Sequence, residues 1–245
     1  QAEGSNFNDV FWGGSGNEIF YGLDGNDAIF GGDGFDSAGY NIIKSGDTAL
    51  SGADGISVDL AGGSVTGITG TATALIGTDS LHSVEAVVGS NADDAYNATG
   101  FGAGSTNAGS NGDLNMFEGL DGDDTITGNG DTRVSYQRAL DAVSVTLQTG
   151  GAGSATSLNG GDAAHVGNDT FRGGVKAVRG SDYNDQITGN GESDKLDGWL
   201  GNDTLTGGTG EDTFVYSIGT NGSQRGGGAD HIVGFELGID QIDLT

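Results

Sequence analysis

The chain has 245 residues, 51 of them Gly, with no Pro and no Cys, and its 8 Lys plus Arg against 35 Asp plus Glu leave a net charge of −27. That sign repels phosphate backbones and anionic lipid, which argues against nucleic-acid and membrane-surface partners. The absence of Cys excludes disulfides and thiolate metal sites, and no apolar run approaches the length of a transmembrane segment. With only 34% hydrophobic residues, composition alone reads as disorder, because little apolar area is buried to offset chain entropy.

The order of the residues says otherwise. Gly-x-Asp-x-apolar occurs twelve times, against roughly two expected by chance, and the matches at Asp27, Asp36, Asp124, Asp203 and Asp212 fall at one position of a nine-residue frame. The first array reads GSNFNDVFW, GGSGNEIFY, GLDGNDAIF and GGDGFDSAG over 4–39. An interlude follows over 40–88. The second array, 89–136, holds GSNADDAYN, an irregular turn, SNGDLNMFE, GLDGDDTIT and GNGDTRVSY; a second interlude covers 137–179. The third array reads GSDYNDQIT, GNGESDKLD, GWLGNDTLT and GGTGEDTFV over 180–215, and a tail fills 216–245. Each array opens on a related phrase, GSNFND, GSNADD or GSDYND, in which the fourth position is not Gly. The interludes resemble one another too, with Tyr40 and Tyr136 leading in, GISVDLAGG matching AVSVTLQTG, and GTDSLHSVEAVVGS matching GNDTFRGGVKAVRGS. They are expected to be longer turns of the same solenoid.

These nonapeptides resemble the RTX family, whose GGxGxDxUx repeat (U apolar) occurs in proteins exported by Gram-negative type I secretion. The resemblance implies a parallel β-roll with two nonapeptides per turn, six residues forming a calcium-binding turn and three a short strand. The expected fold is therefore all-β: a right-handed parallel β-roll or β-helix, one elongated domain over 1–245, closed by a C-terminal cap. The tail ADHIVGFELGIDQIDLT resembles the family's capping segment, with Gly234 where Asp is usual; the secretion signal that usually follows is not seen.

Physical chemistry supports the same picture. Tight turns with positive φ favour Gly, which would account for Gly13, Gly14, Gly16, Gly22 and Gly25. Period-two strands would turn Phe11, Phe20, Ile29, Ala38, Tyr96, Phe117, Ile126, Ile187, Leu196, Leu205 and Phe214 inward. One apolar residue in nine makes a thin core, so the sixth-position carboxylates become the expected binding element. Hard oxygen donors without His or Cys select Ca²⁺. Candidate ligands pair as Asp9 with Asp27, Glu18 with Asp36, Asp185 with Asp203, and Asp194 with Asp212. Asp94, Asn115 and Asp124 hold the position in the second array, where Thr132 carries no charge; Asp79 and Asp169 match in the interludes, and Asp230 and Asp240 in the tail. Roughly six to eight Ca²⁺ ions are expected, which would make folding and metal binding one event.

Val10, Trp12, Ile19, Tyr21 and Phe30 are expected to point outward as an apolar stripe, covered by residues 41–88 or by an upstream domain or second copy. His82, His165 and His231 are isolated and read as exposed turn residues, and no HExxH, GxSxG or phosphate loop is present, so no enzymatic activity is expected. The expected function is an extracellular or cell-surface calcium-binding structural module, of an adhesin, surface-layer or large repeat protein from a Gram-negative bacterium or cyanobacterium. The competing expectation is the C-terminal folding and export domain of a type I secreted protease, lipase or polysaccharide-modifying enzyme.

Overall fold

The computed structural model describes residues 1–41, 55–68, 76–216 and 228–244. The first array folds as the period requires, one three-residue strand per nonapeptide. After the short β1 (Ala2–Glu3) come β2 (Val10–Trp12), β3 (Ile19–Tyr21), β4 (Ala28–Phe30) and β5 (Ser37–Gly39). Strands alternate between two faces, so each pairs in parallel with the strand 18 residues on: Phe11 with Ile29 on one face, Phe20 with Ala38 on the other. The third array repeats this with β16 (Gln186–Thr188), β17 (Lys195–Asp197), β18 (Thr204–Thr206) and β19 (Thr213–Tyr216), aligning Ile187 with Leu205 and Leu196 with Phe214. The tail strands β20 (His231–Val233) and β21 (Gln241–Leu244) continue the two faces against β18 and β19.

The middle of the chain keeps both faces but changes how they are supplied. Its strands are β6 (Ile56–Asp59), β7 (Ser64–Gly67), β8 (Thr78–His82), β9 (Ala86–Val88), β10 (Ala95–Asn97), β11 (Asn115–Glu118), β12 (Thr125–Ser135), β13 (Val143–Gln148), β14 (Ala152–Ser157) and β15 (Asn168–Arg179). In the first interlude β8 and β9 make the next turn on β4 and β5, aligning Leu81 with Ile29 and Val87 with Ala38. Strands β6 and β7 form an antiparallel hairpin wedged between β8 and the parallel neighbour β10. The second interlude does likewise: β13 and β14 are an antiparallel hairpin between β15 and β16. The expectation of simple longer turns is therefore corrected. Each interlude inserts two antiparallel strands into one face only, because the alternating GISVDL and AVSVTL segments are followed by tight turns that fold them back at once. Strands β12 and β15 are long enough to serve both faces; Ile126 aligns with Tyr96 and Val134 with Phe117.

Inside runs a double file of side chains. Ile29, Leu81, Ile126, Ile187 and Leu205 on one face and Ala38, Val87, Val178, Leu196 and Phe214 on the other are essentially inaccessible. Of the residues expected inside, only Phe11 is partly buried, packing on the edge of this core. The interludes thicken the file with Val58, Leu60, Val65, Val143, Val145 and Leu147. At about 1.5–3 kcal/mol for each large buried aliphatic or aromatic side chain, the interludes are the regions least reliant on other forces.

Candidate metal centre

The turns between strands carry the polar chemistry, and their carboxylates are stacked. Main-chain N–H of Asp9 donates to Oδ1 of Asp27 (2.8 Å), that of Glu18 to Asp36 (2.8 Å), that of Asp185 to Asp203 (2.9 Å), and that of Asp194 to Asp212 (2.9 Å). The four pairs read from the sequence thus lie in register. The ladder also runs through the interludes and tail: Asp27 donates to Asp79, Asp94 to Asp124, Asp124 to Asp169, Asp203 to Asp230 and Asp212 to Asp240.

In each link one carboxylate oxygen is used, and the fate of the other sorts the residues into groups. Oδ2 of Asp27, Asp36, Asp124, Asp203 and Asp212 is buried with no hydrogen-bond partner, as is Oε1 of Glu85, beside which the Asn111 amide lies. Glu85 was not among the sequence candidates. It follows no Gly-x-Asp pattern, yet its Oε2 accepts the Asp36 N–H at 2.8 Å. An ionised carboxylate oxygen without a donor or cation in such a place is costly.

In a second group the other oxygen is filled. Each array's opening phrase supplies a Ser whose main-chain N–H donates to Oδ2, Ser5 to Asp9 (2.6 Å), Ser90 to Asp94 (2.8 Å) and Ser181 to Asp185 (2.6 Å), and whose hydroxyl donates to the same carboxylate. A Tyr closes each array, at the last position of the second and directly after the first and third, and its phenol reaches the following carboxylate. Tyr40 donates to Asp79 (2.9 Å) and Tyr136 to Asp169 (2.7 Å), and Tyr216 bonds Asp230. At Asp79 and Asp169 the next strand is antiparallel and offers no stacked turn, so the phenol occupies the oxygen that a further turn would have faced. Burial, and then the adjoining carboxylate, hold the Tyr40 and Tyr136 phenols well above their ordinary range, so both remain donors.

The second array contains a neutral stretch. Asn115 Oδ1 accepts hydroxyls from Tyr96 and Thr132, both at 2.8 Å, and its amide donates to the Asp113 carbonyl (2.9 Å). Of the remaining candidates, Glu18 accepts the Gly14 N–H (2.9 Å), Asp194 the Asn190 N–H (2.7 Å) and Asp240 the Glu236 N–H (2.7 Å).

The first glycine of each repeat explains how these oxygens are reached. A Cβ at Gly22, Gly119, Gly198 or Gly207 would overlap the carboxylate five residues on, and one at Gly13 or Gly31 would overlap the carbonyl of the adjacent turn. Carboxylate oxygen and main-chain carbonyl therefore converge over a bare Cα. This corrects the positive-φ explanation: of Gly13, Gly14, Gly16, Gly22 and Gly25, only Gly25 has such a φ, 124°. At the second position, a positive φ is adopted by Leu23 (72°), Leu120 (75°) and Trp199 (69°).

Electrostatics point the same way. Burial, opposed by the backbone hydrogen bond and reinforced by stacked carboxylates, raises Asp27 to about 6 and Asp203 to about 8. Asp124 is pushed up by burial and by Asp169 and Asp94; Asp36 and Asp212 are raised, mainly by burial. Such a column favours protons or cations. The donors are hard, all oxygen, and part of them are carbonyls, which fits Ca²⁺.

A second ladder, not read from the sequence, runs beside the first. Fifth-position side chains accept N–H groups from the following turn: Asn8 from Asn26, Asn26 from Thr78, Asp93 from Asp123, Asp123 from Asn168, and Asn202 from Ala229. Its polarity is opposite to that of the carboxylate ladder. The recurring Asn or Asp directly before the sixth-position acid was its signal.

Elsewhere, Trp12 (74% exposed) stacks on Phe30 with ring centroids 4.1 Å apart, and Phe30 on His82 at 4.6 Å. Tyr21, expected outward, is buried because Gly39 on the neighbouring strand leaves room for its ring. The expected cover by residues 41–88 falls partly on 42–54 and 69–75, which lie outside the described residues. His165 pairs with Asp121 (3.2 Å), with Asp162 close by. No helix among the described residues is long and apolar enough to cross a membrane.

The family profile of the RTX calcium-binding nonapeptide repeat matches the chain in four copies, across residues 3–38, 110–132 and 179–214. No curated protein matches it.

Proposed function

Since the chain carries RTX calcium-binding nonapeptide repeats, a feature typical of secreted proteins, we propose that it is an extracellular structural or adhesive module whose roll is completed by Ca²⁺ after secretion. The observation that carries this reading is the set of six buried, unpartnered carboxylate oxygens, on Asp27, Asp36, Glu85, Asp124, Asp203 and Asp212, each on a stacked turn. These are the assigned calcium stations, with Asp9, Glu18, Asp94, Asp185, Asp194, Asp230 and Asp240 as flanking ligands, for roughly six to eight ions. Asp79 and Asp169, filled by phenols, and Asn115, filled by hydroxyls, serve as closed stations that end a run of sites.

Bound Ca²⁺ supplies the positive charge that lets stacked carboxylates ionise inside the roll. The chain's own residues do the rest: glycines admit the oxygens, Ser and Tyr seal the ends of each array, and the aliphatic file fixes the register. Low calcium inside a cell would keep the repeats open for export, and millimolar calcium outside would close them, in keeping with the weak end of the calcium affinity range. The arrangement is taken as one right-handed domain with the tail as its cap. Long hairpin-bearing interludes favour a spacer or surface role over a compact export domain, and the carboxylates, committed to a cation, make poor acid–base catalysts. Circular dichroism with chelator and with calcium tests the coupling: sheet signal that rises on calcium addition supports it, and identical spectra overturn it. Sedimentation under the same two conditions tests self-association.

A further inference from the structure

Against 35 acidic residues the chain sets 8 basic ones, and three of them line a single cavity of about 180 Å³ on the outer surface, with Leu114, Ala177, Val178, Asp197 and Val215. The cavity follows from strand register. Val134, Val178 and Leu196 face inward, so their neighbours face out. Arg133 on β12 aligns with Ala177 on β15, and Ala177 with Lys195 on β17. The small middle residue leaves a notch, and at one strand spacing each the flanking cations stand about 10 Å apart at their Cα atoms. Arg179, two residues after Ala177, forms the third side.

The cations are unequally satisfied. Arg179 Nε donates to Asp197 at 2.8 Å, and its guanidinium lies 4.6 Å over the Trp199 ring. Lys195 reaches Asp243 only at 3.4 Å and is half exposed. Arg133 makes no ion pair among the described residues. Its Nε is buried without an acceptor, and Nη2 has only the Met116 sulfur, at 3.3 Å. Burial, and then repulsion by Arg179, lower it to about 10. The Arg133 guanidinium lies over the Phe35 ring at 5.8 Å, a contact that leaves its in-plane donors free of any oxygen at Nε, and a planar fork of this kind beside a second and third cation suits the two oxygens of an anion.

We propose that this notch binds one compact oxyanion group, a carboxylate or sulfate, held by Arg133 and Lys195 over Ala177. Of the acids beside the notch, Asp197 is engaged by Arg179 and Asp243 lies next to Lys195, leaving one net positive charge. More distant carboxylates are screened beyond a Debye length of about 8 Å at physiological salt. The overall negative field opposes long polyanions, so the site takes an isolated charge, free or carried on an otherwise neutral saccharide.

The test is an amide NMR titration of the calcium-loaded chain at low ionic strength, with sodium sulfate, with a neutral oligosaccharide ending in one uronic acid, and with its uncharged parent. Saturable shifts at Arg133, Ala177 and Lys195 with either charged probe, and none with the parent, support the proposal. Sulfate alone would identify a free-ion site, and tighter uronate binding a saccharide-borne group. Arg133→Gln and Lys195→Gln should each weaken binding about tenfold, the equivalent of about 1.4 kcal/mol, while Lys176→Gln outside the notch leaves it unchanged. Absence of saturable shifts, or unchanged affinity in Lys195→Gln, whose exposed side chain is not needed for folding, would overturn it.

Discussion

Replacing Asp203 by Asn should change the stability of the protein in opposite directions with and without calcium. Asn keeps an oxygen to accept the Asp185 N–H, now at 2.9 Å, but removes the charge on the buried second oxygen. Burial raises the Asp203 carboxyl from 3.8 to about 8, and the residue is 1% exposed. At pH 7 in chelator the folded chain therefore holds a proton that the unfolded chain has released. With about 1.4 kcal/mol per pH unit over the roughly three units from 3.8 to 7, that costs on the order of 4 kcal/mol. Asn abolishes the cost, so folding of the chelated protein should improve by up to that amount. In saturating calcium the same substitution removes a ligand and lowers stability. The assay is far-ultraviolet circular dichroism of both proteins along a pH series in chelator, then a urea titration in calcium. A raised folded-state pKa gives stability that is complete below pH 4 and lost as pH rises through 8. The chelated parent should therefore gain sheet on acidification, and the variant should gain it at higher pH. A variant less stable than the parent in chelator would refute the reasoning.

Further substitutions separate the parts of the turn. Tyr136→Phe removes the donor from a buried Asp169 oxygen and should cost about 1–3 kcal/mol in calcium, read by thermal melting; an unchanged melt would contradict the sealing role. Gly22→Ala places a methyl against the Asp27 carboxylate, whereas Gly14→Ala meets nothing within 4 Å and has no positive φ. The first should lose one calcium equivalent by calorimetric titration and the second none, with stability within about 0.5 kcal/mol of the parent. Leu205→Ala, fully buried between Ile187 and Ile232, should cost about 2–5 kcal/mol in denaturant titration.

The arrays were legible because their period fixes everything that matters locally. A carboxylate every nine residues, one apolar residue two places after it in each of these three-residue strands, and glycine where oxygens converge leave few alternatives. Hence Ile29 over Phe11, Asp36 over Glu18 and Leu205 over Ile187 all follow from counting by 18. What counting cannot reach is pairing between segments of unequal length. Glu85 joins the ladder 49 residues after Asp36, a distance set by a hairpin whose antiparallel return depends on tertiary neighbours. The seals were visible as a repeated Ser in the opening phrase and a repeated Tyr at each array's end, but their role needs the carboxylate to be placed first. Tyr21 turned inward for a similar reason: the space at Gly39 exists only once the two strands are paired.

The most direct test of calcium completion is a calcium-grown crystal with an anomalous difference map. Peaks are predicted against the free oxygens of Asp27, Asp36, Glu85, Asp124, Asp203 and Asp212, and none at Asn115 with Thr132 or beside the phenol-bound oxygens of Asp79 and Asp169. Peaks at those closed stations, or no peak at the six open ones, would contradict it.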